Sequence, residues 1–510
     1  LHGGSRLLDA ASELEAEDGT LQVSLSDGSV RLADIDRAQT EVDALIVEMS
    51  GNMLDGDPGL LLPPVSEVRD AVRDEAEARM AELDRLRRGL VLLRQLVGAD
   101  GPRRTLLAIA NTAEMRGSGG MMLNYGVLIG DDGVLELDAF GRVEELEIAT
   151  PLDADSAMLE EDFLDRWDGF DPTREWRNAT LGASFTDMAP ALLAMYQRSV
   201  GVPADGVIQV DPHALAGILS VVGPVQVAEV GEVNATNVVD LVLNEAYRAF
   251  PGVEERTDVL GDVAEAAFER LVTGEIPSLR QLATALGTSV DGRHLLAFSA
   301  DTRTNGALDF FEADGSLPTL DAGDYLHLTA QNMSGNKLDY YVDTALSVSG
   351  TRRADEVGEL TVRITVANRA PVGETEPRYI FGPFDDDQSV GVYRSAVSLY
   401  LPAGATLLEA TSENGFRLDP SSQTEFGRPL VGYWIDVPAG QEHTADLRLR
   451  LPPPVESEDY DLGLIPSPRV RPTTAVVDID LGDAGRAAGE ATLDAEYVVT
   501  ADGITSRAGY

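Results

Sequence analysis

The amino-acid sequence predicts a multidomain α+β protein, with a helical hairpin arm over residues 1–100, a central α/β domain over 101–337 and a β-sandwich over 338–510. Three observations carry that reading. Up to Gly98 apolar residues recur three and four apart, the helical period. Between Gly101 and about Ala330 short apolar strands alternate with helical stretches. From Leu338 onward helical periodicity disappears, and alternating strands are separated by Gly, Pro, Asp and Asn. A chain of 510 residues, 44% of them hydrophobic, can bury a large core, and its length suits about three domains.

In the arm, Ile35, Ala38, Val42, Leu45 and Met49 form one stripe. After the breaker "GDPGLLLPP" a longer stripe runs through Val65, Val68, Val72, Ala76, Met80, Leu83, Leu86, Leu90, Leu93 and Val97. Pro63 and Pro64 suit the start of the second helix and Gly98 its end. The segment "RDEAEARMAELDRLRR" gives it a charged outer face, so the pair reads as an antiparallel stalk or packing arm.

In the central domain, strands are expected at Thr105 to Ala110, Met121 to Ile129, Gly206 to Val210 and Pro224 to Val227. Helices are expected at Asp187 to Ser199, Pro212 to Val221, Thr236 to Ala249 and Asp258 to Val272, covering the sheet. Beyond it, "YYVDTALSVSG", "GELTVRITVAN", "SVGVYRSAVSLYLPAG", "PLVGYWIDVPAG", "HTADLRLRLP" and "ATLDAEYVVT" read as sandwich strands of a module that binds, spaces or braces.

Charge excludes one class of partner. With 87 acids against 39 bases the formal net charge is -48, which repels nucleic acid and anionic membrane surfaces. The acids read as a solvated surface. No cysteine is present, so disulfide and thiolate chemistry are excluded. The five histidines, His2, His213, His294, His327 and His443, are scattered with no pair at metal-ligand spacing, and no zinc site is expected. Lys337 is the single lysine, every other basic residue being arginine, which reads as the codon usage of a GC-rich genome. No apolar run reaches the ~18 residues a membrane span needs. The chain starts at Leu1, so removal of an upstream signal or anchor is expected.

Chemistry concentrates in "RRTLLAIANTAEMRGSGGMMLNYGVLIGDDG". It reads as a strand stopping at Asn111, then Glu114, Arg116, the run Gly117, Ser118, Gly119, Gly120, and a second strand. Such a run permits close backbone approach, so its N–H groups can converge on an anion, and Arg116 adds a planar fork suited to phosphate. The alternative is a glycine turn in which Glu114 and Arg116 pair as a conformational lock. No Walker lysine or dinucleotide fingerprint accompanies it.

Asp187, near a helix start in "SFTDMAPALLAMY", reads as a cap or dipole partner, or else as a carboxylate that holds Mg²⁺ or accepts a proton. Asp211 and Pro212 form an N-cap and N1 pair that leaves His213 exposed in the first turn with no required role. Arg248 complements a helix dipole, unless it faces Arg116.

Five segments in order, "NTAEMRGSGGMMLNYGVLIGDDG", "SFTDMAPALLAMY", "ADGVIQVDPHALAGILSVVGPV", "NATNVVDLVLNEAY" and "NKLDYYV", resemble the bacterial cell-envelope family called domain of unknown function 4012. The resemblance spans about Gly101 to Tyr341. It implies an extracytoplasmic protein anchored to the bacterial cell membrane through an N-terminal helix absent from this chain. The α/β part also resembles, more remotely, the LytR-CpsA-Psr phosphotransferases, which attach lipid-linked glycopolymers to peptidoglycan. The strand, helix and turn of "DGVIQVDPHALAGILSVVGPV" carry that likeness, whereas the arginine-aspartate signature and late arginine pair of those enzymes have no copy here.

The function so implied is handling of a polyprenyl-pyrophosphate-linked glycan, with possible LytR-CpsA-Psr-like transfer to the cell wall. Arg116, Glu114 and Asp187 would be its catalytic residues. Asn111, Gly117, Ser118, Gly119, Gly120 and Arg248 would bind ligand, and Glu114 or Asp187 would hold Mg²⁺. The alternatives are a non-catalytic scaffold or binding module for other envelope components, or a lipid-binding protein without turnover. The scaffold reading expects the glycine turn to be packed.

Overall fold

The computed structural model describes residues 28–52, 63–250, 259–274, 279–319, 323–353, 356–384, 387–412, 420–453 and 460–507. The expected pattern before residue 28 lies outside the described residues, as do Asp258 and the side chains of Val65, Val68 and Val72.

The arm is a hairpin of α1 (Leu32–Asn52) and α2 (Pro63–Leu96). Ile35, Ala38 and Val42 pack against Leu86, Leu90 and Val97, with Ile46 continuing the seam. Leu45, expected in the stripe, is 44% exposed, because a straight helix turns its fourth contact one residue further on. At the foot, the Arg88 guanidinium lies 4.3 Å from the Phe310 ring centroid. Gly98 has φ +64° and a Cβ there would meet the Gly130 carbonyl oxygen at 2.0 Å, so glycine alone lets the end of α2 rest on the sheet.

The central sheet has five strands in the order β3-β2-β1-β4-β7. They are β1 (Arg103–Arg116), β2 (Gly119–Asp131), β3 (Val134–Arg142), β4 (Gly206–Val210) and β7 (Leu295–Ser299). Short β5 (Val225–Val227) and β6 (Gly231–Val233) form a separate ribbon. Only β1 and β4 run parallel; the other pairs are antiparallel. Successive residues of β1 point to opposite faces. Leu106 and Ala108 enter a core with the helix Phe185–Val200, while Leu107 and Ile109 enter another with the helices Pro212–Val222 and Val259–Thr273. The result is a three-layer α/β unit. The helix expected at Thr236 to Ala249 runs from Val238, and its centre, Leu241–Glu245, is π-helical.

The first strand does not stop at Asn111 but continues to Arg116, pairing Met115 with Gly120 and Arg116 with Gly119. The register breaks between Asn111 and Met115, where Asn111 Oδ1 accepts a 2.9 Å bond from the Ala113 N–H. The asparagine therefore builds a bulge that bends the strand without ending it.

The C-terminal region is two sheets face to face. One has six strands, in the order Thr406–Ser412, Glu442–Leu451, Gly358–Asn368, Val342–Thr351, Thr473–Asp480 and Arg486–Leu493. The other has seven, with β8 (Asp324–Asn332) at its centre between Val392–Tyr400 and Leu462–Ile465. Leu328, Val397 and Ile435 from the seven-stranded sheet share a core with Val348, Val362 and Leu447 from the other. Because β8 belongs to this unit, the sandwich begins at Asp324, upstream of the boundary expected at Leu338. Two parallel pairs, β8 with Leu462–Ile465 and Val342–Thr351 with Thr473–Asp480, make both sheets mixed. Between Asp343 and Pro402 the one helix among the described residues is the single turn Arg378–Phe381.

A buried histidine in β8 gives the sandwich a pH dependence. His327 is fully buried, its Nδ1 donating to the Ile465 carbonyl at 3.1 Å, with no partner for Nε2. Burial, then the nearby Arg293 guanidinium, pushes its pKa from 6.5 down to about 3. The unfolded chain thus binds the proton more readily. The contribution is complete above the unfolded value and is lost as pH falls toward the folded one. Urea unfolding should show a loss of roughly 1–2 kcal/mol from this group between about pH 7 and pH 5. His327→Gln should flatten that slope, and an unchanged slope would contradict the assignment.

Candidate functional site

The motif residues meet where the end of β1 enters the sandwich. Glu114, Arg116 and Ser118 are buried together with Asn332, Lys337 and Asp339 of β8 and the segment after it. The Lys337 ammonium donates to Glu114 Oε2. It also lies 4.7 and 5.2 Å from the ring centroids of Tyr247 and Tyr379, which stack on each other. Burial pulls the Lys337 pKa down, but the Glu114 carboxylate and the two tyrosines outweigh it and hold the group above the ordinary lysine value. The only lysine in the chain is therefore a buried cation with a built cage.

Arg116 does not pair directly with Glu114. Its guanidinium donates to the Asn332 carbonyl at 2.8 Å, to the Met115 carbonyl at 3.1 Å and to Asn178 Oδ1 at 3.1 and 3.3 Å. Burial lowers its pKa, against the fields of Glu114 and Asp339. A second hub lies beside it. Asp339 Oδ1 accepts from Tyr393 Oη at 2.7 Å and Arg469 at 2.9 Å, while Oδ2 accepts from Asn332 Nδ2 at 2.9 Å and the Met115 N–H at 3.1 Å. Burial pushes the Asp339 carboxyl up, and Arg469, Tyr393, the Met115 N–H and Asn332 all oppose it.

The glycine turn is packed. The Ser118 N–H donates to the Thr180 carbonyl at 3.2 Å, the Thr180 hydroxyl to the Gly120 carbonyl at 3.2 Å, and Gln209 Nε2 to the Ser118 carbonyl at 2.8 Å. A Cβ on Gly117 would meet the Leu181 carbonyl oxygen at 2.2 Å, and one on Gly120 would meet the Asn111 carbonyl carbon at 2.3 Å. These glycines make room for neighbouring backbone. Gly117→Ala is expected to lower unfolding stability by roughly 1–3 kcal/mol, because backbone must move to admit the methyl. Unchanged urea unfolding would show that the loop yields freely.

Of the other expected site residues, Asn111 joins the Glu114 cluster through Tyr247, whereas Asp187 and Arg248 go elsewhere. Asn111 donates from Nδ2 to Tyr247 Oη at 3.2 Å. Asp187, in the first turn of its helix, accepts from Arg428 of the sandwich at 2.7 Å. Arg248 bonds Tyr341 Oη at 2.9 Å and Glu374 at 3.1 Å, across to the sandwich and not toward Arg116. Glu114 and Asp187 each have a cationic partner and share no ligand group. Among the described residues, the one group of three metal-type ligands is Asp211, His213 and His294. A cleft of about 190 Å³ is lined by residues including Asp291, Arg293, Glu312, Asp461 and Glu496, and none of Asn111 to Gly120 lines it.

Sequence reasoning missed Lys337, Asp339 and Arg469, and a third hub at Glu425. Its Oε1 accepts from Tyr400 Oη at 2.5 Å and the Ala183 N–H at 3.1 Å; its Oε2 accepts from Trp167 Nε1 at 3.0 Å and Arg166 at 3.1 Å. The available signal was "NKLDYY", which sets a lone lysine and an aspartate among apolar residues. Arg469 and Glu425 offered none.

All three hubs cross between the α/β unit and the sandwich. Residues 100–247 match the family described as Protein of unknown function (DUF4012). The match supports the family expected from the ordered motifs, over the part of the chain that holds four of the five. No curated protein matches the chain. Among solved structures, it resembles a protein described as nutrient-binding from Legionella pneumophila subsp. pneumophila str. Philadelphia 1, at 7% identity and TM-score 0.21, over 35% of this chain and 66% of that one. It also resembles the Lin1025 protein from Listeria innocua, at 12% identity and TM-score 0.21, over 42% of this chain and 80% of that one. At those scores neither likeness bears on function.

Proposed function

We propose that the chain is a non-catalytic scaffold or binding module of the bacterial cell envelope, held outside the membrane by an N-terminal anchor. The observation that carries this reading is the commitment of Glu114, Arg116 and the Gly117–Gly120 turn to contacts inside the protein. A pyrophosphate site needs its guanidinium and N–H groups free to meet the ligand. Here Glu114 and Arg116 instead join the α/β unit to the sandwich, the Ser118 N–H is taken by the Thr180 carbonyl, and the joined unit offers its surface to other envelope components. The envelope setting comes from the resemblance to the DUF4012 family.

Handling of a polyprenyl-pyrophosphate-linked glycan by the same residues is the competing reading, and it requires the lock to open. Calorimetric titration of the purified chain with a polyprenyl pyrophosphate in detergent, with and without Mg²⁺, separates the two. The scaffold reading expects no saturable binding. Saturable, Mg²⁺-dependent binding that is lost in a folded Arg116→Lys variant would overturn it. Protease treatment of intact cells carrying the full-length protein should digest it from outside; complete protection would contradict the extracytoplasmic placement.

A further inference from the structure

We propose that Asp211, His213 and His294 form a binding site for a divalent transition metal, with Zn²⁺ as the ion best suited to it. The three come from two places in the chain. Asp211 and His213 lie at the junction of β4 with the helix Pro212–Val222, and His294 immediately precedes β7, the neighbour of β4. The strand pairing therefore joins what 81 residues of sequence separate, counting from His213 to His294. Their ligand atoms lie within 4.8 Å of one another.

The carboxylate is already oriented. Asp211 Oδ1 caps the helix, accepting the N–H groups of His213 at 2.8 Å and Ala214 at 3.1 Å. Oδ2 is left facing His294 Nδ1 at 2.6 Å. The His213 ring stacks on that of His294, with centroids 4.3 Å apart and planes at 26°. Capping accounts for the aspartate, but nothing in the helix or the sheet calls for two imidazoles at this junction. His213 Nδ1 is buried and has no hydrogen-bond partner, so its desolvation is not offset by any bond in the fold.

Two imidazole nitrogens and one carboxylate oxygen are the donor set of three-ligand zinc centres, in which water takes the fourth position. Hard cations such as Mg²⁺ and Ca²⁺ prefer all-oxygen sites. Ligands on one Zn²⁺ at about 2.0–2.2 Å stand roughly 3.3–3.5 Å apart, so the His294 ring must draw back from its 2.6 Å contact with Asp211 and the two stacked rings must turn for their nitrogens to meet on the ion. His294 would bind through Nδ1 with its proton on Nε2. The ion would take the place of the present hydrogen bond to Asp211.

The test is Zn²⁺ titration of the chelator-stripped chain in millimolar Mg²⁺, which occupies the acidic surface, with Co²⁺ substitution read by its visible absorption. One Zn²⁺ per chain and a Co²⁺ spectrum with nitrogen ligation are expected. His213→Ala and His294→Gln should each weaken binding by at least the roughly 10–100-fold that even a partner outside the metal's own ligands is worth. His213→Ala decides alone if His294→Gln fails to fold, because its Nδ1 makes no bond in the metal-free protein. Absence of saturable Zn²⁺ binding, or binding that His213→Ala leaves intact, would overturn the proposal.

Discussion

Lys337→Met is expected to lower the free energy of unfolding by about 3–5 kcal/mol, the usual consequence of leaving one member of a buried ion pair alone. Methionine matches much of the lysine stem, so packing against Tyr247 and Tyr379 is largely kept and the loss reports on charge. The stranded group is Glu114, buried on β1. It cannot turn to solvent without pulling apart the junction of β1 with the segment after β8. Urea unfolding at neutral pH measures the effect, and a loss under about 1 kcal/mol would place Lys337 among ordinary surface-type pairs.

The second large effect is expected for Arg469→Leu. This side chain donates to the Ala330 carbonyl and to Asp339, both at 2.9 Å, in a fully buried setting. Without it Asp339 keeps Tyr393, Asn332 and the Met115 N–H but loses its counter-charge. A loss of about 3–5 kcal/mol is expected. The sign of its pH dependence follows from burial, which raises the Asp339 pKa and is then less opposed. A carboxyl with a raised folded pKa contributes stability in the protonated range and loses it as pH rises through the folded value. The penalty of Arg469→Leu should therefore be smaller in acid than at neutral pH. A penalty that grows in acid, in unfolding curves of both proteins, would contradict this.

The sequence showed the architecture more clearly than the site. The helices Pro212–Val222 and Phe185–Val200 and strand β4 fall within a few residues of expectation, because periodicity and caps are local signals. The bulge at Asn111 was not legible, since it depends on which acceptors reach the Ala113 and Met115 N–H groups, and the one at Met115 comes from Asp339 beside the sandwich. Glu114 and Arg116 stood out as a pair, yet each found a partner far away in sequence, at Lys337 and at Asn332. Sequence spacing cannot express that. The same limit hid His213 and His294, which become neighbours only when β4 pairs with β7. The lone lysine, read as codon usage, has a physical setting: its ammonium pairs with Glu114 and lies 4.7 and 5.2 Å from the Tyr247 and Tyr379 ring centroids, where a planar guanidinium would need more donors satisfied.

A double-mutant cycle on Glu114 and Lys337 tests the lock most directly. Unfolding free energies of the parent, Glu114→Gln, Lys337→Met and the double variant give the coupling between them. The double variant is expected to be more stable than the sum of the single losses by about 2 kcal/mol or more, because it buries no lone charge. Additivity within about 0.5 kcal/mol would show that the two groups act independently, and would contradict a lock between the α/β unit and the sandwich.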